Sequence, residues 1–292
     1  MTRARAAQPT ADTPAPQHPT ETLTAQPTAG ALTAPRPTDT PTAQRPAEAP
    51  PARPTAGTPT GQPAPDHLRG WLDLRARIRW HRARTAPAPV TPTRDGAAHD
   101  IRAHDHARSP QRAARLLDAL ALARADAVSA VPLTFGLLGT WQRHVLGGAE
   151  APPFRGDPAY AKSGRERYGT GPDLPARLDA CLAEACDPAL PLTARAARAY
   201  LDVCFFHPFD DGNARSAFLT LTFVLAREGV GLDQVGPVRR IRRRADDPEG
   251  ALALADLLAV LITAAAGRPA PGGPGCRPSP AWSGPRPPRG RA

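Results

Sequence analysis

With 292 residues the chain is long enough for two average domains, but 15 of its 38 prolines lie in residues 1–65 and eight in residues 267–292. Ends of that composition cannot offset the entropy of ordering, which excludes a second domain there and predicts disordered tails at 1–65 and 267–292 around one globular domain at 66–266. The formal net charge of +10 is almost all arginine, because Lys162 is the only lysine, so it indicates compositional bias and disfavours a nucleic-acid partner.

The first predicted elements of the domain are helices. The spacing of Leu and Trp predicts an amphipathic helix over 68–84, and a loop rich in Pro and Thr follows over 86–96. Alanine and leucine at helical intervals predict a second helix over 111–128, which Pro132 keeps from continuing. A third helix is expected over about 134–145, where paired glycines follow.

The helical period is lost over 151–172, where Pro, Gly, Tyr and charged residues predict a turn-rich hairpin or flap. Two further helices are expected, one over 174–186 and one from Thr193, a candidate N-cap, to Phe206. The segment 215–228 is apolar on nearly every side, which is typical of a helix at the centre of a bundle. These elements predict an all-α fold with one short β-hairpin.

Several classes of site and location are disfavoured. The four cysteines have no paired zinc-site spacing and no secretory signal precedes them, so we expect a cytoplasmic protein. The apolar stretch 251–266 is shorter than the ~20 residues of a membrane span and contains Asp256, which predicts a core helix and no membrane partner. The histidines and aspartates of 99–106 are too loosely spaced for a metal site, and we interpret them as an exposed approach to a helix. Walker, Rossmann and nucleophile-elbow motifs are missing from the sequence.

The most informative segment is His-Pro-Phe-Asp-Asp-Gly-Asn-Ala-Arg at 207–215, between the last two of the six helices described above. Pro208 is expected to end the preceding helix at about His207, and Gly212 lets the backbone approach a ligand closely. The N–H groups at the start of the next helix have no intrahelical partner and point outward. The turn is therefore predicted to receive an anion, and phosphate fits it best.

The side chains of this segment have the chemistry of phosphate transfer. Arg215 offers a fork of donors for phosphate oxygens, and Asp211 either ligates magnesium or stabilises the helix start by its charge. His207 is either a core histidine or a base that takes the proton of a hydroxyl nucleophile. Asn213 caps the helix, contacts phosphate or does both, whereas Asp210 is interpreted as a solvated loop residue.

The nine residues resemble the signature of the Fic/Doc family, His-x-Phe-x-Asp/Glu-Gly-Asn-Gly/Lys-Arg-x-x-Arg. The order of flap, two helices, motif and buried helix is also similar, over 134–228, and 251–266 fits a closing helix. The resemblance implies a Fic-type helical bundle with a β-hairpin flap. It also implies a protein adenylyltransferase (an AMPylator), which moves AMP from ATP, with Mg²⁺, to a Ser, Thr or Tyr hydroxyl of a target protein.

The resemblance assigns a role to each motif position. It makes His207 the general base, Phe209 the residue that anchors the loop in the core, and Asp211 the magnesium ligand. The nucleotide-binding residues that it implies are Gly212, Asn213, Ala214 and Arg215. It further implies that the flap binds an extended target segment as an added strand.

Two positions depart from the family pattern. Ala214 replaces Gly or Lys, and Phe218 stands where the second arginine belongs. In the family that arginine holds the terminal phosphates, and an inhibitory glutamate from a Ser/Thr-x-x-x-Glu-Gly/Asn helix occupies it. The nearest matches to that helix, at 224–229 and 245–250, lack the leading Ser or Thr, so an inhibitor would be a separate, antitoxin-like partner.

The missing arginine leaves other functions open. One is a Fic-fold phosphotransferase, and another is a catalytically degenerate protein that binds a nucleotide or a partner without turnover. A third is a binder of nucleic acid or of an acidic partner, through the arginines of 239–244 and of the C-terminal tail. Solvation of an exposed face is the ordinary role of such charge runs.

Overall fold

The computed structural model describes residues 65–129 and 131–268, all within the second of two units, Met1–Pro59 and Thr60–Ala292. The predicted tails therefore lie outside the described residues, except for Pro65, Gly267 and Arg268. The α-helices in the described ranges are α1 His67–Arg75, α2 Gly96–Asp100, α3 His106–Arg108, α4 Pro110–Val128, α5 Phe135–Leu146, α6 Leu174–Ala183, α7 Leu192–Phe206, α8 Asn213–Arg227, α9 Gly236–Arg240 and α10 Pro248–Ala266.

Shorter elements complete the described chain. Strands β1 (Ala159–Ala161) and β2 (Glu166–Tyr168) pair antiparallel in the predicted flap, which confirms a helical fold with one short hairpin. The shorter helical elements are two 3-10 turns and one π-helical segment, at Trp80–Arg82, Glu184–Cys186 and Ile101–Asp105.

The prediction of one helix over 68–84 is wrong in its second half. Helix α1 ends at Arg75, and the indole Nε1 of Trp80 donates a hydrogen bond of 3.1 Å to the carbonyl of Arg75. That bond satisfies a carbonyl that the helix end leaves free, and it turns the chain back so that Trp80 is buried. The amphipathic pattern therefore marked two buried segments joined by a turn.

The start of α7 also differs from expectation. Thr193 is not its N-cap, because α7 begins at Leu192 after Pro191. The hydroxyl of Thr193 instead donates a hydrogen bond of 2.6 Å to the carbonyl of Arg84. A long-range partner therefore takes the hydroxyl that the sequence pattern assigned to a local cap.

Helix α8 lies at the centre of the bundle, where it contacts α4, α5 and α7. These neighbouring helices bury apolar residues on both sides of α8, as its sequence pattern predicted. Helix α10 packs on α7, and its buried residues include Leu254, Leu258 and Ile262. Within the described residues α10 is the one helix whose length and mean hydropathy of 1.8 would also allow it to cross a membrane, but a core helix has the same properties.

Candidate active site at the motif turn

The imidazole of His207 is fixed where α7 ends. The helix stops at Phe206, and His207 caps it in a left-handed conformation, φ 46° and ψ 57°, rather than the extended one that a following proline favours. Its Nδ1 lies 2.6 Å from the carbonyl oxygen of Cys204. Because a carbonyl only accepts, Nδ1 carries the hydrogen, and Nε2 is the unprotonated nitrogen of the neutral ring. Burial lowers the pKa of His207, which keeps the ring neutral at pH 7.

The flap covers one face of this imidazole. The ring of Tyr168 stacks on His207 with a centroid separation of 4.8 Å and an interplanar angle of 11°. The Tyr168 hydroxyl donates to buried Glu166, whose other carboxylate oxygen lies 2.5 Å from Nζ of Lys162. Burial, together with this carboxylate, raises the pKa of Tyr168 above its ordinary range, so the phenol stays protonated. A buried polar chain thus holds the ring that orients the candidate base.

The motif turn is closed by a reciprocal pair of hydrogen bonds. The backbone N–H of Phe209 donates to Oδ1 of Asn213 at 3.0 Å, and Nδ2 of Asn213 donates to the Phe209 carbonyl at 2.6 Å. Asn213 is the first residue of α8. Its side chain holds the turn closed through these two hydrogen bonds and does not cap the helix. The ring of Phe209 is buried and stacks on Phe135 at 5.5 Å.

Gly212 is required where α8 begins. Its φ is +82°, and an added Cβ would lie 2.3 Å from Nε2 of Gln142. Gln142 is fully buried on α5 and donates a hydrogen bond of 2.5 Å to the carbonyl of Asp211. Helix α5 therefore supports the motif turn through Gln142, at a position where only a glycine fits.

The start of α8 opens into a cleft of about 490 Å³. Asn213 and Ala214 line it, and at a helix start their N–H groups have no intrahelical partner. Arg215 also lines it, and its Nη2 lies 3.1 Å from the exposed carboxylate of Asp211. His207 and Asp210 border the same cleft. The structure therefore brings a candidate base, two carboxylates and an anion-binding helix start around one volume.

Arg155, which the sequence analysis did not identify, joins the flap to the motif turn. It is buried, and its guanidinium donates to the carbonyls of His207 at 2.7 Å, Asp157 at 2.6 Å and Gly169 at 2.6 Å. Its backbone N–H donates to the carbonyl of Pro208 at 2.9 Å. Burial lowers the pKa of Arg155, but carbonyl oxygens satisfy its donors in place of a carboxylate.

Phe218, at the position of the second arginine, points away from the cleft. Its ring is buried, and the guanidinium of Arg239 lies 4.9 Å above it. Arg239 is in turn bound to Asp100 at 2.5 Å and to Asp105 at 2.8 Å. Asp100 and Asp105 therefore serve as ion-pair partners of Arg239. No group of three His, Cys, Asp or Glu residues that could hold a metal ion occurs in the ranges that the structure describes.

Residues 132–225 match the model of the Fic/DOC family. The resemblance to the Fic/DOC family is thereby confirmed. The matched segment contains α5, the flap, α6, α7, the motif turn and most of α8, and each of its ends lies within three residues of the expected boundary.

Among solved structures, the chain is similar to the crystal structure of a Fic domain containing signaling protein from Bacteroides thetaiotaomicron. The two are 16% identical, the similarity covers 69% of this chain and 85% of the other, and the TM-score is 0.39. No curated protein matches the chain.

Three residues of the site, Gln142, Arg155 and Tyr168, were not predicted from the sequence. Gln142 follows buried Leu138 by four residues and precedes buried Val145 by three, so a polar residue on an apolar helix face was detectable. Arg155 and Tyr168 lie in a segment without periodicity, and their partners are distant backbone carbonyls or rings. No spacing rule identifies such contacts.

Proposed function

We propose that this protein transfers AMP from ATP, with Mg²⁺, to a hydroxyl of a target protein. The observation that carries the proposal is that neutral His207 and the open helix start at Asn213 and Ala214 border one cleft. A base and an anion site facing the same volume are what the attack of a hydroxyl on a phosphate needs. The family match supports Fic-type chemistry in general, and the choice of AMP and of a protein acceptor belongs to this proposal.

The proposed step is balanced by the groups of the cleft. The acceptor oxygen forms a bond to the α-phosphorus of ATP, and the bond from that phosphorus to the bridging oxygen breaks. Pyrophosphate leaves with the electron pair, and Nε2 of His207 takes the hydroxyl proton. Backbone N–H groups at the start of α8 and the guanidinium of Arg215 hold the phosphate oxygens.

Magnesium fits the chemistry of these donors. The side chain of Asp211 is 66% exposed and lines the cleft beside the helix start that would hold phosphate oxygens. Magnesium binds proteins through one or two carboxylates plus substrate phosphates, so Asp211 is the residue that would hold it. When bound, the ion supplies charge that neutralises the phosphates.

Phe218 favours a second candidate function. Because it is packed under Arg239 and not in the cleft, the terminal phosphates lack the arginine that the family pattern would supply there. A Fic-fold protein that transfers a different phosphate group, or that binds a nucleotide without turnover, is consistent with that loss.

Incubation with ATP labelled at the α- or the γ-phosphate, in cell extract, separates the candidates. The AMP proposal predicts α-label on a protein band, loss of that label with His207→Ala, and its retention with His99→Ala, an exposed histidine outside the cleft. Label from the γ-phosphate alone that His207→Ala removes identifies phosphoryl transfer by this protein. Bound ATP without any transferred label supports the binding protein, and α-label that His207→Ala leaves unchanged contradicts the proposed role of the imidazole.

A further inference from the structure

A second pocket, here called the tip pocket, lies at the turn of the hairpin and has a volume of about 430 Å³. The turn 162–165 borders it on one side and the segment 242–246 on the other. Its charged lining consists of four cations and two carboxylates besides a histidine. The cations are Lys162, Arg165, Arg242 and Arg244, and the carboxylates are those of Glu166 and Asp246.

The carboxylates of the tip pocket are already paired. Glu166 is held by Lys162 and by the hydroxyl of Tyr168, whereas Asp246 pairs with Arg244 at 2.8 Å on the exposed rim. Arg165 and Arg242 are both exposed, and neither has an acidic partner in the described part of the chain. The pocket therefore has more cations than carboxylates, and Arg165 and Arg242 can bind an acidic group from another molecule.

The arginine run 239–244 is divided by the fold. Arg239 and Arg240 are both paired with Asp100, each at 2.5 Å, so these two cations stabilise the contact between α9 and the end of α2. Arg243 lies partly buried, and burial lowers its pKa. Only Arg242 and Arg244 of the run line the tip pocket. The run is thus a local pocket wall and not a continuous basic stripe of the kind that follows a phosphate backbone.

Strand β1 connects the tip pocket with the cleft of the motif turn. Ala159 and Tyr160 line the cleft, and the strand then leads to Lys162 at the tip. Strand β2 pairs with one edge of β1, and the other edge has no partner strand within the described residues. An extended peptide can pair with such an edge through its backbone. At ~3.3 Å per residue, a segment that begins at the cleft reaches the tip after about four residues.

We propose that the tip pocket binds a carboxylate side chain of the target protein, about four residues from the acceptor hydroxyl. This proposal rests on the proposed function for the acceptor, but the binding itself requires no transfer. A polypeptide fits better than a nucleic acid, because the free edge of β1 offers pairing that only a peptide backbone can use.

Fluorescence anisotropy with the full chain, without ATP, tests this binding. The probes are two labelled extended peptides with one central threonine, which carry either glutamate or glutamine about four residues to each side. We expect the glutamate peptide to bind about fivefold more tightly at low salt, and the preference to disappear at about 1 M salt. The double variant Arg165→Glu with Arg242→Glu should abolish the preference, whereas Arg108→Glu, an exposed arginine outside the pocket, should retain it.

Equal affinity for the two peptides, a preference that survives the double variant, or no binding of the glutamate peptide overturns the proposal. So does a labelled single-stranded oligonucleotide that displaces the peptide and depends on the same two arginines, because the pocket is then a nucleic-acid site. The anisotropy measurement contains no ATP, so its result does not depend on transfer. A wild-type protein that prefers the glutamate peptide but transfers no label therefore refutes the proposed function and leaves the tip-pocket proposal intact.

Discussion

The two walls of the cleft are built by different means. The motif wall consists of the consecutive residues 207–215, and bonds between near neighbours close it, such as those that join Phe209 and Asn213. The flap wall consists of two strands of three residues each, which are too short to be stable alone. It depends on buried side chains, Arg155 and Tyr168, that reach across to the motif wall. One wall is thus specified locally and the other by a few long-range polar contacts.

Removal of Arg155 should break the flap wall with the largest effect. Arg155→Met keeps most of the side-chain volume but leaves the carbonyls of Asp157, Gly169 and His207 without their donor. Hydrogen bonds from a charged donor to buried acceptors are worth about 1.5–3 kcal/mol each, so we expect a loss of about 4 kcal/mol in the free energy of unfolding. Urea unfolding followed by circular dichroism measures it.

Arg167→Met is the matched control, because Arg167 is a half-buried arginine of the same hairpin whose guanidinium makes no hydrogen bond within the described residues. It should change the stability by less than about 0.5 kcal/mol. Similar losses in both variants would show that the flap wall does not depend on the guanidinium of Arg155.

Substitution of Gly212 should damage the motif wall. In Gly212→Ala the new Cβ meets the amide of Gln142, and the residue must keep a φ of +82°. A left-handed conformation costs a residue with a Cβ about 1–2 kcal/mol, so we expect a loss of about 2 kcal/mol in urea unfolding. The affinity for ATP should fall as well, because the start of α8 shifts.

Gly156→Ala provides the comparison for this glycine, since a Cβ at Gly156 meets no atom within 4 Å. Its stability should remain within about 0.5 kcal/mol of the wild type. If Gly212→Ala is as mild as Gly156→Ala, the turn tolerates a shift of Gln142 and the motif wall is less tightly built than its contacts indicate.

Tyr168→Phe separates the ring of the flap wall from its hydroxyl. The variant keeps the stack on His207 but removes one hydrogen bond to Glu166, which retains Lys162 as a partner. We expect a loss of about 1 kcal/mol in stability. The pKa of His207, measured by NMR, should be the same as in the wild type, because burial is the main cause of its lowering and the ring that covers the imidazole is kept. A clear rise in that pKa would assign the control of the imidazole to the hydroxyl and Glu166.

The same contrast explains what the sequence predicts and what it does not. The motif turn, the central helix α8 and the end of α5 at Gly147 depend on spacing, proline and glycine, which are local signals. The flap was predicted as a hairpin, but the roles of Arg155 and Tyr168 depend on residues about 40 to 50 positions away and leave no periodic trace. The prediction of Thr193 as an N-cap was wrong for the same reason, since its hydroxyl donates to the distant carbonyl of Arg84.

The smallest expected effect is on the pH dependence of stability, and it depends on His207 of the motif wall being buried under Tyr168 of the flap wall. Burial under Tyr168 lowers its pKa in the folded protein, whereas the unfolded chain has the ordinary value of about 6.5. As the pH falls through about 6.5, the unfolded state binds a proton that the folded state does not yet accept, so the free energy of unfolding decreases, by less than about 1.4 kcal/mol per pH unit. Urea unfolding at a series of pH values should show that decrease in the wild type and a smaller one in His207→Gln. If the difference between the two proteins does not change with pH, the imidazole is not shielded by the flap, and the two walls do not act on it together.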